Sequence, residues 1–336
     1  MCGICGELRH DGQTGRHDII ERMLPKLARR GPDFEGQWQN GPLALGHRRL
    51  AIIDLSERAN QPMVDQELGL MLVFNGSIYN YRELRADLIK EGYHFFSQGD
   101  SEVIIKAYHK WGERCPEYLH GMFAFAIWDT RTESLFLARD RMGIKPLYYT
   151  QQETFFRFAS NPQALLAGGE VDTHIDPVAL HHQLTLHAVV PAPRTILTGV
   201  RKLIPGTSLT IKVDGSTTRR RYWFLNAERP AEPRSEQEWT DAIHTTLRES
   251  VRKRLEVADV PVGVLLSGGL DSSLLVALLA EAGVKDLLTF SIGFEDQPEE
   301  KGSEFEYSDQ VVERYQTRHH KYHIPNAEVL PRLPES

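Results

Sequence analysis

The chain has 336 residues, more than one ordinary hydrophobic core contains, so two domains are expected. Its hydrophobic content of 41%, aromatic content of 9% and charged content of 25% are those of globular proteins and exclude a disordered, collagen-like or coiled-coil chain. The 39 basic and 46 acidic residues give a net charge of −7, which excludes a general attraction to nucleic acid or to an anionic membrane. We therefore expect partners that are small molecules or proteins.

The cysteine content and the N-terminus indicate the compartment. The three cysteines, Cys2, Cys5 and Cys115, are an odd and sparse set that favours a reducing environment over a disulfide framework. The N-terminus has no basic segment followed by an apolar one, and the most continuous apolar stretch, near Leu274 to Ala280, is shorter than the ~20 residues that cross a bilayer. These features predict a cytoplasmic protein without membrane segments.

Helices and short strands are mixed as far as about residue 225. Apolar residues at helical spacing predict helices around Ile19 to Leu27, Leu84 to Ile89 and Val103 to Tyr108. This mixture is typical of an α+β domain with layered antiparallel sheets. The predicted strands are Leu43 to Leu45, Leu70 to Phe74, Phe123 to Trp128, Leu135 to Ala138, Thr154 to Ala159 and Ser208 to Val213.

The pattern changes after residues 226–238, NAERPAEPRSEQE, a segment rich in proline and charge that is predicted to link two domains. Helices and buried strands then alternate, as at the start of an α/β domain with a doubly wound parallel sheet. Three strands with a proline-rich ending make a poor closed domain, so we expect residues 239–336 to be the incomplete first part of one. The predicted order is helix Trp239 to Glu256, strand Val262 to Leu266, helix Ser272 to Ala282, strand Leu287 to Ile292, helix Ser308 to Tyr315 and strand Lys321 to Ile324.

Cys2 directly follows the initiator methionine. Removal of Met1 would leave a thiol and a free α-amine on one residue, and an α-amine of pKa ~8 can accept the proton of a thiol of pKa ~8.5. This is the arrangement of an N-terminal nucleophile. The alternatives are a buried structural cysteine and, with Cys5, a C-x-x-C redox or metal pair, for which Cys115 is the one further cysteine.

Six further segments of this first part contain charged, polar and glycine residues in specific patterns. They are RRGPD from Arg29 to Asp33, HRRLAIID from His47 to Asp54, NGSIYN from Asn75 to Asn80, GDSEV from Gly99 to Val103, GMFAFAIWD from Gly121 to Asp129 and RDRMGIKPLYY from Arg139 to Tyr149. In combination they resemble the type II glutamine amidotransferase domain of the asparagine synthetase family, over nearly all of residues 2–225. The resemblance implies an N-terminal nucleophile fold in which Cys2 attacks the side-chain amide of glutamine.

The resemblance also implies roles for residues around glutamine. The side chain of Asn75 and the backbone amide of Gly76 would stabilise the tetrahedral oxyanion, although Asn-Gly after a strand is also a common hairpin turn. Arg49 would bind the α-carboxylate and Asp100 the α-ammonium; the alternatives are a surface charge and a helix N-cap. The backbone along the substrate would be that of Leu50, Ala51, Ile52 and Ile53.

Two positions depart from the family pattern. Ser77 stands where family members often have glutamate, so a carboxylate that would help to hold the substrate ammonium is missing and Asp100 must contribute more. Ser160-Asn161 stands where Ser-Glu is common, which puts the usual contact between the two domains at this point in doubt.

The motif SGGLDSS lies between a predicted strand and a predicted helix. Glycines let the backbone approach a phosphate, and the free amides of a helix N-terminus bind the anion. The motif resembles the pyrophosphate loop of the N-type ATP pyrophosphatases, which implies ATP, with Mg²⁺ held by Asp271 against the pyrophosphate. Leu266 and Ile292 would flank the adenine, although either could be an ordinary core residue. The implied ATP-binding residues are Leu266, Ser267, Gly268, Gly269, Asp271, Ser272 and Ile292.

Together the two parts imply a glutamine-dependent, ATP-consuming amide ligase, in which ammonia released at Cys2 displaces AMP from an adenylated carboxylic acid. The segments GELRHDG, FNGSIYNY and IDPVALHHQLTLHAVVPAPRTIL are most similar to bacterial N-acetylglutaminylglutamine amide synthases, so we favour this blocked dipeptide as the acid. Aspartate, as in asparagine synthase, is the alternative, and a glutaminase or binding module alone is another. A homodimer is left open, and neither nucleic acid nor membrane is expected as a partner.

Overall fold

Two six-stranded antiparallel sheets form the centre of the first part of the chain. The computed structural model describes residues 1–229, 231–296 and 302–332, and the chain divides into the units Met1–Ala227 and Glu228–Ser336. The strands of the first unit are β1 (Gly3–Arg9), β2 (Phe34–Asn40), β3 (Leu43–Arg49), β4 (Met63–Asp65), β5 (Leu70–Ile78), β6 (Gly121–Asp129), β7 (Ser134–Arg139), β8 (Tyr148–Gln151), β9 (Phe155–Ala159), β10 (Arg201–Lys202), β11 (Thr207–Lys212) and β12 (Thr217–Arg221). One sheet has the order β10-β8-β9-β1-β3-β2, and the other has the order β12-β11-β7-β6-β5-β4.

The first unit also contains α-helices. They are α1 (His17–Met23), α2 (Tyr81–Lys90), α3 (Asp100–Trp111), α4 (Cys115–Tyr118), α5 (Pro162–Ala167) and α6 (Pro177–Thr185). Apolar residues of α1 and α5 pack against the first sheet, and α3 packs against β5 of the second. This arrangement confirms the predicted α+β fold with layered antiparallel sheets between helices.

Side chains of β1 pack on both faces of its sheet. Because successive side chains of a strand point to opposite faces, Ile4 and Leu8 pack between the two sheets while Cys5 packs toward α1. Facing Ile4 and Leu8 are apolar residues of the second sheet, including Val73 and Ala124. The segment just before β1, which carries Cys2, is therefore fixed to the core of the unit.

Several elements differ in extent from the predicted ones. The predicted helix from Ile19 to Leu27 is instead α1 followed by a 3-10 helix, Leu24–Arg30, because Pro25 has no amide hydrogen to continue an α-helix. The strand predicted from Leu70 to Phe74 continues to Ile78. At the second departure from the family pattern, Asn161 caps α5, its side-chain oxygen accepting from the amide of Ala164 at 2.9 Å.

The second unit contains a three-stranded parallel sheet, as predicted. Its elements are α7 (Glu236–Glu256), β13 (Gly263–Leu265), α8 (Leu270–Glu281), β14 (Leu288–Phe294), α9 (Phe305–Tyr315), β15 (Arg318–Ile324) and α10 (Asn326–Arg332), and the strands follow the order β13-β14-β15. Ser235 and Glu238 form a capping box at the start of α7, so residues 236–238 of the predicted linker are helical. No helix in the described ranges is long and apolar enough to span a membrane.

Candidate functional site

A cavity of about 260 Å³ lies in the first unit, beside Cys2 and the ends of β3 and β5. Most residues of the expected glutamine site line it: Cys2, Arg49, Leu50, Ile52, Ile53, Asn75, Gly76, Ser77 and Asp100. Ala51 is not among the lining residues; its amide donates to Oδ2 of Asp33 at 2.8 Å instead. The RRGPD segment thus supports the loop after β3 from outside the cavity.

The Cys2 thiol is held against the end of β3. The amide of Leu50 donates to Sγ at 3.3 Å, and Sγ lies 3.6 Å from the carbonyl oxygen of Leu50. Arg30 Nε donates to the backbone carbonyl of Cys2 at 3.1 Å. Burial raises the pKa of the thiol, while the Leu50 hydrogen bond and the neighbouring N-terminal amine oppose this rise. A thiol in this environment needs a nearby base to ionise.

Cys5 does not form a pair with Cys2. It is wholly buried among the apolar residues that pack on α1, and all three cysteines are free thiols. The described residues contain no cluster of three or more histidine, cysteine or carboxylate side chains that could hold a metal ion. The geometry therefore favours a structural role for Cys5.

The Asn75 side chain is a buried polar group of the cavity without hydrogen bonds to the part of the chain that the structure describes. It is fully buried, yet neither its Nδ2 nor its Oδ1 has a hydrogen-bond partner among the described residues. Leaving such groups unpaired costs about 1–3 kcal/mol each. Because Asn75 lines the cavity, a ligand there can supply the missing acceptor for Nδ2.

Asn75 and Gly76 lie inside β5 and not in a hairpin turn. Gly76 pairs with Phe123 of β6, and a Cβ at Gly76 would lie 2.2 Å from the carbonyl oxygen of Met122. On the other edge of β5, the amides of Phe74 and Ile78 donate to side chains. Since alternate residues of a strand direct their amides to the same edge, the Gly76 amide points to this edge too, on the cavity side.

The peptide before Asn75 is fixed from two sides. The Phe74 amide donates to Oε1 of Gln61 at 2.6 Å, and the Phe74 carbonyl accepts from Nε2 of His47 at 3.1 Å. Burial lowers the pKa of His47 to about 3, so the ring is neutral and carries its proton on Nε2. Gln61 and His47 thereby hold the strand segment that presents Asn75.

Arg49 is buried and holds the loop that follows β3. Its Nη1 donates to the carbonyl of Ser56 and to Oδ1 of Asn60, both at 2.8 Å, and its Nη2 donates to the carbonyls of Ile53 and Asp54. With only 6% exposure, Arg49 is not a surface charge. A substrate carboxylate at Arg49 would share these donors with the loop, and this role stays a prediction.

Asp100 is the first residue of α3, and Gly99 occupies the N-cap position. Its Oδ2 accepts from the Ile78 amide at 2.9 Å, which ties α3 to β5. Burial raises the pKa of this carboxyl to about 7. A bound ammonium would favour its ionised form. Beside it, Ser77 donates its hydroxyl to the Gly76 carbonyl at 3.0 Å.

Some cavity residues had no predicted role. Met122 and Lys145 belong to GMFAFAIWD and RDRMGIKPLYY, which served only as marks of resemblance, and Gln61 and Ser101 lie outside the residues assigned a role. Because Met122 and Lys145 lie within these motif segments, the sequence could have indicated that they lie near the site. For Gln61 the chain offers no local signal, because its partner Phe74 belongs to another element.

In the second unit, the SGGLDSS segment forms the turn from β13 to α8. Gly268 has a positive φ of 88°, and a Cβ there would lie 2.5 Å from the backbone nitrogen of Ser308, so the turn requires glycine. The hydroxyls of Ser267 and Ser272 are 3.0 Å apart, and the Gly269 amide donates to Ser267 at 3.2 Å. The turn leads directly into the N-terminus of α8.

A second cavity, of about 180 Å³, lies next to this turn. Leu266, Ser267 and Ile292 line it, whereas Gly268, Gly269, Asp271 and Ser272 are not among its lining residues. Leu266 is 1% exposed and Ile292 is 53% exposed, so Ile292 is not an ordinary core residue. Asp271 is exposed in the first turn of α8.

Comparison with known proteins relates both units to one family. The glutamine amidotransferase domain model matches residues 1–223, and the asparagine synthase model matches residues 242–336. Asparagine synthetase [glutamine-hydrolyzing] 3 of Bacillus subtilis is 33% identical over 100% of this chain and 56% of its own length. The chain belongs to the asparagine synthetase family.

Other similar proteins agree with this family membership. Asparagine synthetase [glutamine-hydrolyzing] 1 of B. subtilis is 38% identical over 88% of this chain and 46% of its own length. The chain therefore spans about half the length of these curated relatives. In structure it is similar to the glutamine phosphoribosylpyrophosphate amidotransferase of B. subtilis, with a TM-score of 0.51, 17% identity and coverage of 95% of this chain and 65% of that one. This likeness supports the fold.

We predict that glutamine binds more weakly as the pH falls below about 7, because Asp100 must be ionised to bind the α-ammonium. The dissociation constant should rise ~tenfold per pH unit below that pKa. Calorimetric titration of the Cys2→Ala variant, which cannot turn glutamine over, measures this. Adding Asp100→Asn should weaken binding and remove the pH dependence, whereas Asp87→Asn, at an exposed position of α2, should preserve it. A flat profile in Cys2→Ala would contradict the assignment.

Ser77→Glu should lower the KM for glutamine, because the cavity-lining side chain would gain a carboxylate close to Asp100. A charge-assisted hydrogen bond contributes roughly 1.5–3 kcal/mol, equivalent to about tenfold or more in binding. Steady-state assays of glutamate release measure the change, with Ser77→Gln as the uncharged control of the same shape. An unchanged or higher KM in Ser77→Glu would show that another group already holds the ammonium.

Proposed function

We propose that the first unit hydrolyses glutamine with Cys2 as the nucleophile, and that the whole protein transfers the ammonia to an adenylated carboxylic acid. The observation that carries this proposal is the unpartnered, fully buried side chain of Asn75 in the cavity that also contains Cys2. We assign residues 2–225 to the glutaminase domain and residues 239–336 to part of the ATP-dependent domain, joined by the segment 226–238.

Hydrolytic removal of Met1 by a methionine aminopeptidase precedes the reaction and frees the α-amine of Cys2. This amine accepts the thiol proton, and the thiolate attacks the side-chain carbonyl carbon of glutamine. The Asn75 side chain and the Gly76 amide stabilise the resulting oxyanion. Its collapse, with the proton passed to the leaving nitrogen, releases ammonia and leaves a thioester that water hydrolyses to glutamate.

Other cavity residues orient glutamine during these steps. Arg49 binds the α-carboxylate, and Asp100 binds the α-ammonium. The backbone of Leu50, Ala51, Ile52 and Ile53 flanks the substrate, and Ser77 leaves space beside the ammonium. Arg49 is supported by its burial at the cavity wall, and Asp100 by the raised pKa that an adjacent cation would reverse.

Two features of the turn from β13 to α8 support a role in phosphate binding. Glycine at position 268 keeps the backbone close to α9, and the exposed Ser267 hydroxyl lies at the start of the turn. We propose that Ser267, Gly268, Gly269 and Ser272 bind the phosphates of ATP, and that Leu266 and Ile292 contact the adenine. Asp271 supplies a carboxylate oxygen of the type that Mg²⁺ prefers, and the metal would neutralise the pyrophosphate that leaves on adenylation.

For the acceptor acid we propose N-acetylglutaminylglutamine. The segments GELRHDG and FNGSIYNY, the latter with Ser77 in place of glutamate, support this choice. Aspartate is the second candidate, because the similar proteins from B. subtilis are named asparagine synthetases.

Cys2→Ala should abolish release of glutamate and ammonia from glutamine, because no other thiol lines the cavity. A full-length Cys2→Ala protein should still form amide from added ammonia and ATP. Cys115→Ala, a buried cysteine away from the cavity, is the matched control and should retain glutamine hydrolysis. Mass spectrometry should show loss of Met1 from the active protein. Full glutaminase activity in Cys2→Ala would refute the assignment.

The acceptor is tested by release of AMP from ATP in the full-length protein with glutamine and Mg²⁺. We expect AMP to form in step with added N-acetylglutaminylglutamine and not with aspartate. The reverse result would identify aspartate as the acceptor. Glutamine hydrolysis without AMP release for either acid would reject both acceptor assignments.

A further inference from the structure

Lys145 lies in the wall of the glutamine cavity, together with Met1 and Cys2. It is 3% exposed, and among the described residues its ammonium has no hydrogen bond or ion pair. Burying an ammonium without a direct hydrogen bond is costly unless anions lie near it. The proposed hydrolysis assigns no step to this side chain, so its position needs a separate explanation.

The backbone around Lys145 is firmly held. Its amide donates to Oδ2 of Asp140 at 2.9 Å, and its carbonyl accepts from Nε of Arg139, also at 2.9 Å. Asp140 is itself buried and also accepts from the amides of Phe123 and Ile144. The side chain of Lys145 is therefore directed by a rigid turn and is not a mobile surface lysine.

Charged groups lie near the α-amine of Met1, the residue that precedes Cys2. Lys145 and Arg30 are cations near this amine, and Asp33 is an anion near it. Burial lowers the pKa of the Met1 amine and the two cations lower it further, while Cys2 and Asp33 oppose this effect. For Lys145, burial lowers the side-chain pKa and Arg30 lowers it further, while Cys2 and Asp140 oppose this effect.

Two other charges act on the thiol itself. Asp100 raises the pKa of Cys2, and Arg49 lowers it. Interaction between two groups is mutual, so a thiolate that favours the charged form of Lys145 is in turn favoured by that charge. Asp140 is the other anion near Lys145, but four backbone amides bind its carboxylate and it does not line the cavity. The Cys2 thiolate is therefore the anion that Lys145 faces within the cavity.

We propose that Lys145 is a positioning residue for the N-terminal nucleophile, whose charge keeps the α-amine of processed Cys2 in its base form and stabilises the thiolate. This inference rests on the proposed glutamine hydrolysis. The proton moves from Sγ to the α-amine, and Lys145 neither gains nor loses one. Its contribution is the electrostatic field at the two reacting atoms.

The test is the pH dependence of Cys2 alkylation by iodoacetamide, followed by intact-mass spectrometry on protein shown to lack Met1. Lys145→Met should raise the midpoint by about one pH unit, and the acidic limb of kcat/KM for glutamine should move in the same direction. Lys145→Arg should keep the wild-type midpoint. Lys202→Met is the matched control, because Lys202 is half-buried outside the cavity and donates to the Val190 carbonyl at 2.7 Å.

An unchanged midpoint in Lys145→Met, or an equal shift in Lys145→Arg, would overturn the inference. Thermal unfolding checks that each variant folds, and Lys145→Gln replaces Lys145→Met if the latter does not. Alkylation needs no turnover. Absence of glutaminase activity in the wild type would therefore refute the proposed function, whereas a failed midpoint shift in an active enzyme would refute only the role of Lys145.

Discussion

The candidate site depends on one strand edge that lacks a neighbouring strand. β4 pairs with Leu70 to Leu72 of β5, and the described residues place no strand beside the rest of that edge. Backbone amides along it must find other acceptors. Gln61 and Asp100 accept two of them, and the Gly76 amide between these two faces the cavity. Because β4 pairs with only the first residues of β5, the Gly76 amide stays available as a donor in the cavity that contains Cys2.

The side chains around this edge support the structure and the site at the same time. Arg49 holds the loop after β3 with the same terminal nitrogens that suit a carboxylate, and Asp100 joins α3 to β5 with the same carboxylate that suits an ammonium. Because each group already has partners in the protein, its position is fixed before a substrate arrives. Such preorganisation lowers the entropy lost on binding.

The sequence predicted the layered fold and the parallel sheet because their signals are local runs of apolar residues. It located the cavity residues through motifs, but it left open whether Asn75-Gly76 formed a hairpin turn. That question depends on β6, since the cross-strand neighbour Phe123 is distant in sequence. Gln61 gave no local signal for the same reason, because its neighbour Phe74 lies on another element. Lys145 lies within one of the motif segments, but its place beside Cys2 in the cavity depends on the folded chain. Helix α7 starts at Glu236, three residues before the predicted start at Trp239, because the capping pair of Ser235 and Glu238 determines where the helix begins.

Gly76 and Ser77 are adjacent, yet they differ in how freely they can vary over evolutionary time. Any side chain at position 76 would collide with the Met122 carbonyl, so the fold alone prohibits replacement whatever the substrate. The side chain at position 77 faces the cavity and is free to change in size and charge while β5 stays paired. Substitutions at residue 77 can therefore change the affinity for substrate while the Gly76 amide keeps its position.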